Sequence, residues 1–378
     1  MIRRAVGVLA GLLAALVAGC GSQAAPAAPP PIAVQTAPLA TSLVTAQGAW
    51  AIAVMGRPAD PKNSFWQLFV RPTGASRWSL VTPPAVADNG GLVAAGAAGG
   101  TSILVGFRPS QGLTFSPLAV SSDRGQNWTP GLLDAALADV PDALAAGTSG
   151  RILALLHDGT IEAAPGAAAA AAGQWSRLTT PGALAASAPG RRCGLAALTA
   201  VSFGPGDIPM AAGSCQRPGV AGIFADNGGT WQAAGPVLPA GLGGDQAQVL
   251  GLARTSAGDT ALLLAGTNLL AAWRDGTRWT VSAPVPAAGG IAASGFGPGG
   301  SVWVLLGDGW AQSLAGSGAA WRALPPLPAG TATLAAGPGG GYDALAVSRS
   351  VLTVWRLGAA AWAKAQVIDV PIEYGSSG

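Results

Sequence analysis

Seven tryptophans recur along the chain, each just after a glycine-containing turn: Trp78, Trp128, Trp175, Trp231, Trp279, Trp321 and Trp362. The intervals between them are 50, 47, 56, 48, 42 and 41 residues. A period of this size holds one small antiparallel sheet and is too short for a domain. Each interval follows the same plan. A strand of small residues, such as 91–95, leads through a Gly-rich turn into a strongly apolar strand. The apolar strands are expected at 50–54, 102–105, 152–156, 208–212, 260–264, 302–306 and 343–347. A third strand runs to the turn before the tryptophan. A fourth leaves it toward a proline-containing stretch such as Thr82-Pro83-Pro84 or Leu324-Pro325-Pro326.

This order matches radial packing. Small residues suit inner strands crowded around an axis. Continuous apolar runs suit second strands covered on both faces, where alternation is not required. An indole offers a large apolar surface to wedge between neighbours, and a ring leaves few exposed sheet edges. The expected fold is all-β, a seven-bladed β-propeller of four-stranded antiparallel blades over residues 41–374. Composition agrees. Half of the 378 residues are hydrophobic and 10% are charged, enough to bury a large core. The 57 glycines and 30 prolines fall between short apolar runs, as turns do. The 20 basic and 17 acidic residues leave a net charge of +3, too weak and too scattered for nucleic-acid binding.

The N-terminus reads as an address. Arg3 and Arg4 precede an uncharged apolar run at 5–18, and Val17-Ala18-Gly19-Cys20 ends it. This is the layout of an export signal over residues 1–19. Its last four residues resemble the lipobox of bacterial lipoproteins. That resemblance implies a diacylglyceryl group on Cys20 and a membrane partner, with the protein on the outer face of the cytoplasmic membrane. Residues 20–40, rich in Ala and Pro, read as a linker, and 375–378 as a loose tail. Cys193 and Cys215 are expected to form a disulfide, as exported cysteine pairs do. With a single His and no Cys-x-x-Cys pair, no metal site and no cofactor are expected.

Two turns carry a more specific motif. Ser121-Ser122-Asp123-Arg124-Gly125-Gln126-Asn127-Trp128 resembles the Asp-box, Ser-x-Asp-x-Gly-x-Thr-Trp. Phe224-Ala225-Asp226-Asn227-Gly228-Gly229-Thr230-Trp231 resembles it with Phe in place of Ser, and Asp275-Gly276-Thr277-Arg278-Trp279 is a shortened version. Asp accepts backbone N–H bonds in such a turn and Gly takes a positive φ. The repeats are similar to those of sialidase-like propellers, sortilin-type receptors and assembly factors of photosynthetic membranes. The resemblance implies that Asp123, Asp226 and Asp275, with Gly125, Gly228 and the tryptophans, are structural and lie opposite the ligand face.

The ligand face of a propeller is expected where second strands turn into third strands. Arg57 and Lys62, Arg108, His157, Arg217, Asn268, Asp308 and Arg349 fall there. Arg57, Arg108, His157, Arg217 and Arg349 form the candidate ligand set, since guanidinium forks suit carboxylate or phosphate groups. Sialidases need a Tyr nucleophile with a Glu partner and an acid/base Asp. The chain offers Tyr342, Tyr374, Glu162 and Glu373, but Tyr342 falls at the far end and Glu373 and Tyr374 are adjacent, pointing apart on a strand. Asp139 and Asp142 could reach the ligand face. Neither a Ser-His-Asp arrangement nor a P-loop is present. The expected function is therefore non-catalytic: a monomeric surface propeller that binds a partner protein or glycan. The alternative is a divergent sialidase-like hydrolase or lyase, which would show two carboxylates about 5–10 Å apart in a central pocket.

Overall fold

The computed structural model describes residues 40–57, 63–83, 91–96, 100–107, 118–130, 141–255, 257–287, 289–337 and 340–371. The expected leader and linker, Cys20, Lys62, Arg108, Asp139, Glu373, Tyr374 and the tail lie outside them.

The described strands form four-stranded antiparallel units in chain order. Unit one is β1 (Ala40–Thr45), β2 (Gly48–Gly56), β3 (Ser64–Pro72) and β4 (Ser79–Leu80). Unit two is β5 (Leu92–Ala95), β6 (Ile103–Phe107), β7 (Leu118–Ser121) and β8 (Thr129–Pro130). Unit three is β9 (Ala143–Ala146), β10 (Ile152–Leu155), β11 (Ile161–Ala164) and β12 (Ser176–Thr179). Unit four is β13 (Leu195–Phe203), β14 (Pro209–Cys215), β15 (Gly222–Asp226) and β16 (Trp231–Ala233). Unit five is β17 (Ala247–Thr255), β18 (Gly258–Ala265), β19 (Asn268–Asp275) and β20 (Arg278–Val281), with β21 (Val285–Pro286) added beside β19. Unit six is β22 (Ile291–Phe296), β23 (Val302–Leu306), β24 (Ala311–Leu314) and β25 (Arg322–Ala323). Unit seven is β26 (Thr331–Ala336), β27 (Tyr342–Ser348), β28 (Val351–Leu357) and β29 (Trp362–Asp369).

Second strands are buried along nearly their whole length, as the apolar runs require. First strands are tightly packed. A Cβ on Gly213 would lie 2.0 Å from the Ala197 carbonyl oxygen, and one on Gly295 would lie 2.3 Å from Ser42 Oγ. β1 pairs not only with β2 but, in parallel, with β22 of unit six. Thr41 and Thr333 hydroxyls lie 2.7 Å apart, and Trp303 donates its indole N–H to Ser42 Oγ at 3.1 Å. The first strand is therefore fastened to both units six and seven.

The cores lie between units rather than within them. Each buried cluster joins two consecutive units, and each contains the recurring tryptophan of the later one. Trp128 packs on unit one with Trp50, Leu68 and Val70. Trp175 packs on Leu104 and Leu118, and Trp231 on Leu153 and Leu155. Trp279, Trp321 and Trp362 continue the series against units four, five and six. Trp78 of unit one packs on Leu345, Leu352 and Val354 of unit seven, which closes the succession. A sheet with two apolar faces needs a neighbour on each side, and this cyclic packing supplies both. The architecture is of the β-propeller type.

Closure uses side chains. β29 is the outer strand of unit seven, so each terminal unit draws all its strands from its own end of the chain. Asp343, 1% exposed, holds the seam. Its Oδ2 accepts from Arg71 Nη1 of unit one at 2.7 Å and from the Trp78 indole at 2.8 Å. Its Oδ1 accepts from Arg356 Nε at 3.0 Å. Gln366 adds two hydrogen bonds of 2.8 Å to the Trp78 backbone. Burial lowers the Arg71 pKa, which Asp343 raises again and Arg356 lowers. Arg356, which is more exposed, is raised by its hydrogen bond to Asp343. Both stay cationic at neutral pH.

Helices break the strand pattern in one region, and the repeat did not foretell them. The alanine run forms α1 (Ala167–Ala171), in keeping with the helix propensity of alanine. Residues between units three and four form α2 (Pro181–Ala186) and α3 (Ala188–Cys193), capped by Thr180 and Ser187 with Pro in the first turn. The Cys193–Cys215 disulfide, expected from sequence, ties α3 to β14. Gly222 makes room for it, since a Cβ there would lie 2.8 Å from Cys215 Sγ.

Two stability changes follow. Asp343→Ala leaves the buried Arg71 without its counter-charge and should lower unfolding free energy by about 3–5 kcal/mol in urea titration. Opening the 22-residue disulfide loop with Cys193→Ser and Cys215→Ser should cost about 3 kcal/mol in the same assay.

Candidate functional site

Each unit has two ends. At one, first strands turn into second and third into fourth. At the other, second strands turn into third, and the chain passes to the next unit.

The motif turns lie at the first end. Asp123 Oδ1 accepts from Ser121 Oγ at 2.8 Å and from the Asn127 backbone N–H at 2.9 Å; Oδ2 accepts from Asn127 Nδ2 at 2.6 Å. Ser121 Oγ in turn accepts from the Gly125 N–H at 2.9 Å. Arg124 and Gly125 take φ of 66° and 77°, the left-handed geometry that makes Gly125 fit the turn. The Asn127 backbone and side chain and Ser121 hold the Asp123 pKa down to about 2. In the second turn Asp226 Oδ1 accepts from the Gly229 N–H at 2.8 Å, with Gly228 at φ 64°. Asp275 ends β19 exposed, opposite Arg278, with Gly276 at φ 57°. The Asp123 and Asp226 carboxylates accept from their own turns. Tyr342, at this end too, is buried against unit six, and its pKa is raised by that burial, which its Ser313 hydrogen bond partly offsets. Asp259, the second deeply buried carboxylate of this end, is paired with Arg254 at 2.7 Å and Arg274 at 3.4 Å.

The other end carries the candidate ligand set. Arg57, His157, Arg217 and Arg349 all stand in connections between second and third strands, and all are exposed; Asp308 occupies the same connection in unit six, and Asn268 opens β19 just after that of unit five. Two groups of these residues converge. Gly56 N–H donates to the Arg349 carbonyl at 2.9 Å, so Arg57 and Arg349 flank the seam between units one and seven. Arg349 is itself at φ 55°. Arg217 N–H donates to the Cys193 carbonyl at 3.1 Å, which sets Arg217 beside Arg191 and Arg192 in the last turn of α3. His157, with 67% of its side chain exposed, lies 3.5 Å from Asp142. Asp158 caps its own turn by accepting from Thr160 N–H at 2.7 Å.

Sequence reasoning missed three residues here. Arg191 and Arg192 were legible through the disulfide, because joining Cys193 to Cys215 brings them to Arg217. Trp310 is 51% exposed and follows Asp308, whose Oδ1 accepts its N–H at 3.1 Å. It is a tryptophan outside the recurring seven and in a second-to-third connection, which was the available signal.

No family model and no curated protein matches the chain. Solved structures do, at low identity. A Bacteroides uniformis ATCC 8492 protein, provisionally described as a 6-phosphogluconolactonase, is 13% identical, with 87% of this chain and 98% of that one covered at TM-score 0.52. Its Bacteroides fragilis NCTC 9343 counterpart is 12% identical over 86% and 96%, at TM-score 0.54. The periplasmic gluconolactonase of Pseudomonas aeruginosa is 15% identical over 84% and 95%, at TM-score 0.52. These likenesses show the propeller fold, which hosts both binding and catalysis.

Asp123 offers a titration check. Its folded pKa of about 2 lies below the ordinary value of 3.8, so its contribution is present above the ordinary value and is lost as pH falls through about 2. Amide exchange at Asn127 should quicken across that window and should be fast at neutral pH in Asp123→Ala.

Proposed function

We propose that the units form one seven-bladed propeller, exported and held to the membrane by lipid on Cys20, that binds a partner protein or glycan without chemical turnover. The binding surface is the end bearing Arg57, Arg349, Arg217, Arg191, Arg192 and Trp310. One observation carries this reading: Arg57, Arg191, Arg192, Arg217 and Arg349, five of the ten exposed arginines among the described residues, and the exposed Trp310 indole lie at this end, while Asp343 and Asp259 are neutralised at the other. Guanidinium groups with an aromatic neighbour are the residue types that dominate binding surfaces. The Asp-box resemblance supports the same polarity, since it assigns the opposite end to structure. Arg108 belongs to the same set by its position in sequence.

Capture from native cell envelopes tests the reading. The mature chain should retain a glycan or protein that Arg57→Ala/Arg349→Ala and Arg191→Ala/Arg217→Ala variants release, by roughly tenfold for each lost charged contact. Equal retention by the variants would overturn it. So would turnover of a glycoside or lactone by the mature chain that these variants abolish.

A further inference from the structure

Three of the seven recurring indoles follow one donor rule, whereas Trp78 donates to Asp343, Trp175 donates to Ala170 of its own unit, and the buried Trp128 N–H has no partner among the described residues. Trp279 donates to the Ala234 carbonyl, Trp321 to Ala283 and Trp362 to Pro325, at 2.6–3.2 Å. Each acceptor lies three or four residues beyond the tryptophan of the preceding unit. The rule seals the flank between units. Trp231 should by this register meet Leu178 or Thr179. Instead its indole N–H has no acceptor among the described residues, and a groove of about 580 Å³ opens there. Its walls are residues 177–180 of β12 and its end, Thr230 and Trp231 of unit four, and the α2–α3 junction from Ala183 to Pro189. The helical insertion has taken the chain away from the path that would have sealed the seam, and the disulfide holds the insertion in place.

The chemistry of the walls is one-sided. Trp231 is half-buried and keeps an unused donor. Arg177 is exposed, with no ion pair among the described residues, and it is the only charged residue lining the groove. Thr180 and Ser187 hydroxyls are already committed to capping α2 and α3. The groove therefore offers an aromatic surface, hydrogen-bond donors and one positive charge, within the size range of small-ligand sites, about 300–1,000 Å³. We propose that it binds an acidic sugar residue. The sugar's apolar C–H face would lie against Trp231, a hydroxyl oxygen reaching past the indole edge would accept from its N–H, and its carboxylate would pair with Arg177. This site adjoins Arg191, which donates to the Ala186 carbonyl of its wall, but lies in a different unit from Arg57 and Arg349, and it goes beyond the function proposed above.

The test uses the mature full chain and oligogalacturonate as probe, followed by calorimetry and by the amide shifts of Gly229 and Thr230. Oligogalacturonate should bind and shift those amides, and neutral galactose oligomers should bind about tenfold more weakly. Arg177→Gln should remove that preference. Trp231→Phe, which keeps the ring and drops the donor, should weaken binding several-fold with unfolding unchanged in shape. Arg57→Ala/Arg349→Ala should leave binding intact, which separates this proposal from the one above. The proposal is overturned if oligogalacturonate fails to shift Gly229 and Thr230, if both groove variants bind as wild type does, or if polyglutamate binds equally well.

Discussion

A four-stranded sheet with two apolar faces cannot bury itself, and this constraint organises the whole structure. Every unit borrows its neighbour as a second wall. The residue that makes the loan is the indole at the turn before the fourth strand, which lies on the preceding unit in each interface. An aromatic body with a polar tip suits the task, because the ring fills the wedge and, in Trp279, Trp321 and Trp362, the N–H satisfies a carbonyl of the preceding unit. Stability is thus a property of interfaces, and the interface between units one and seven is the one that chain connectivity does not enforce.

That interface is also the most polar. Asp343 and Asp259 occupy equivalent places at the start of second strands, each across from an arginine on the third strand. Asp259 takes its second arginine from its own unit, whereas Asp343 takes Arg71 from unit one. Unit one has Ala49 where the aspartate would be, opposite Arg71, so Arg71 faces the seam without a partner of its own. A buried arginine–carboxylate pair adds little net stability over an apolar contact, but it tolerates only one arrangement. Its place at the seam fits a role in selecting the correct closure over slipped ones.

Much of this was legible because periodicity survives weak sequence likeness. Indole spacing located the units, and apolar runs located the second strands to within a few residues. The disulfide matches the pairing expected of the two cysteines. The missed parts are those where the repeat was interrupted. The alanines at 167–171 fall outside the strand repeat, and a run of the best helix former between two strands is a helix signal. Thr180-Pro181 and Ser187-Ala188-Pro189 are capping signals that a reading tuned to strands passed over. The pairing of β1 with β22 could not have been read, since it depends on how closely small residues let inner strands approach.

The two ends of the units differ in how their polar groups are used. Asp123 and Asp226 turn back on their own backbones, and Asp207 accepts from Thr148 and Ser149 of the neighbouring unit, which binds adjacent turns together. Side chains so committed have little left for a ligand. At the opposite end the backbone is satisfied mainly by other backbone groups, as between Gly307 and Gly290 or Gly219 and Asp245. Arg217, Arg349 and Trp310 stand exposed there. The helical insertion at the flank of unit four leaves the Trp231 indole without the kind of backbone acceptor that Trp279, Trp321 and Trp362 find on the preceding unit.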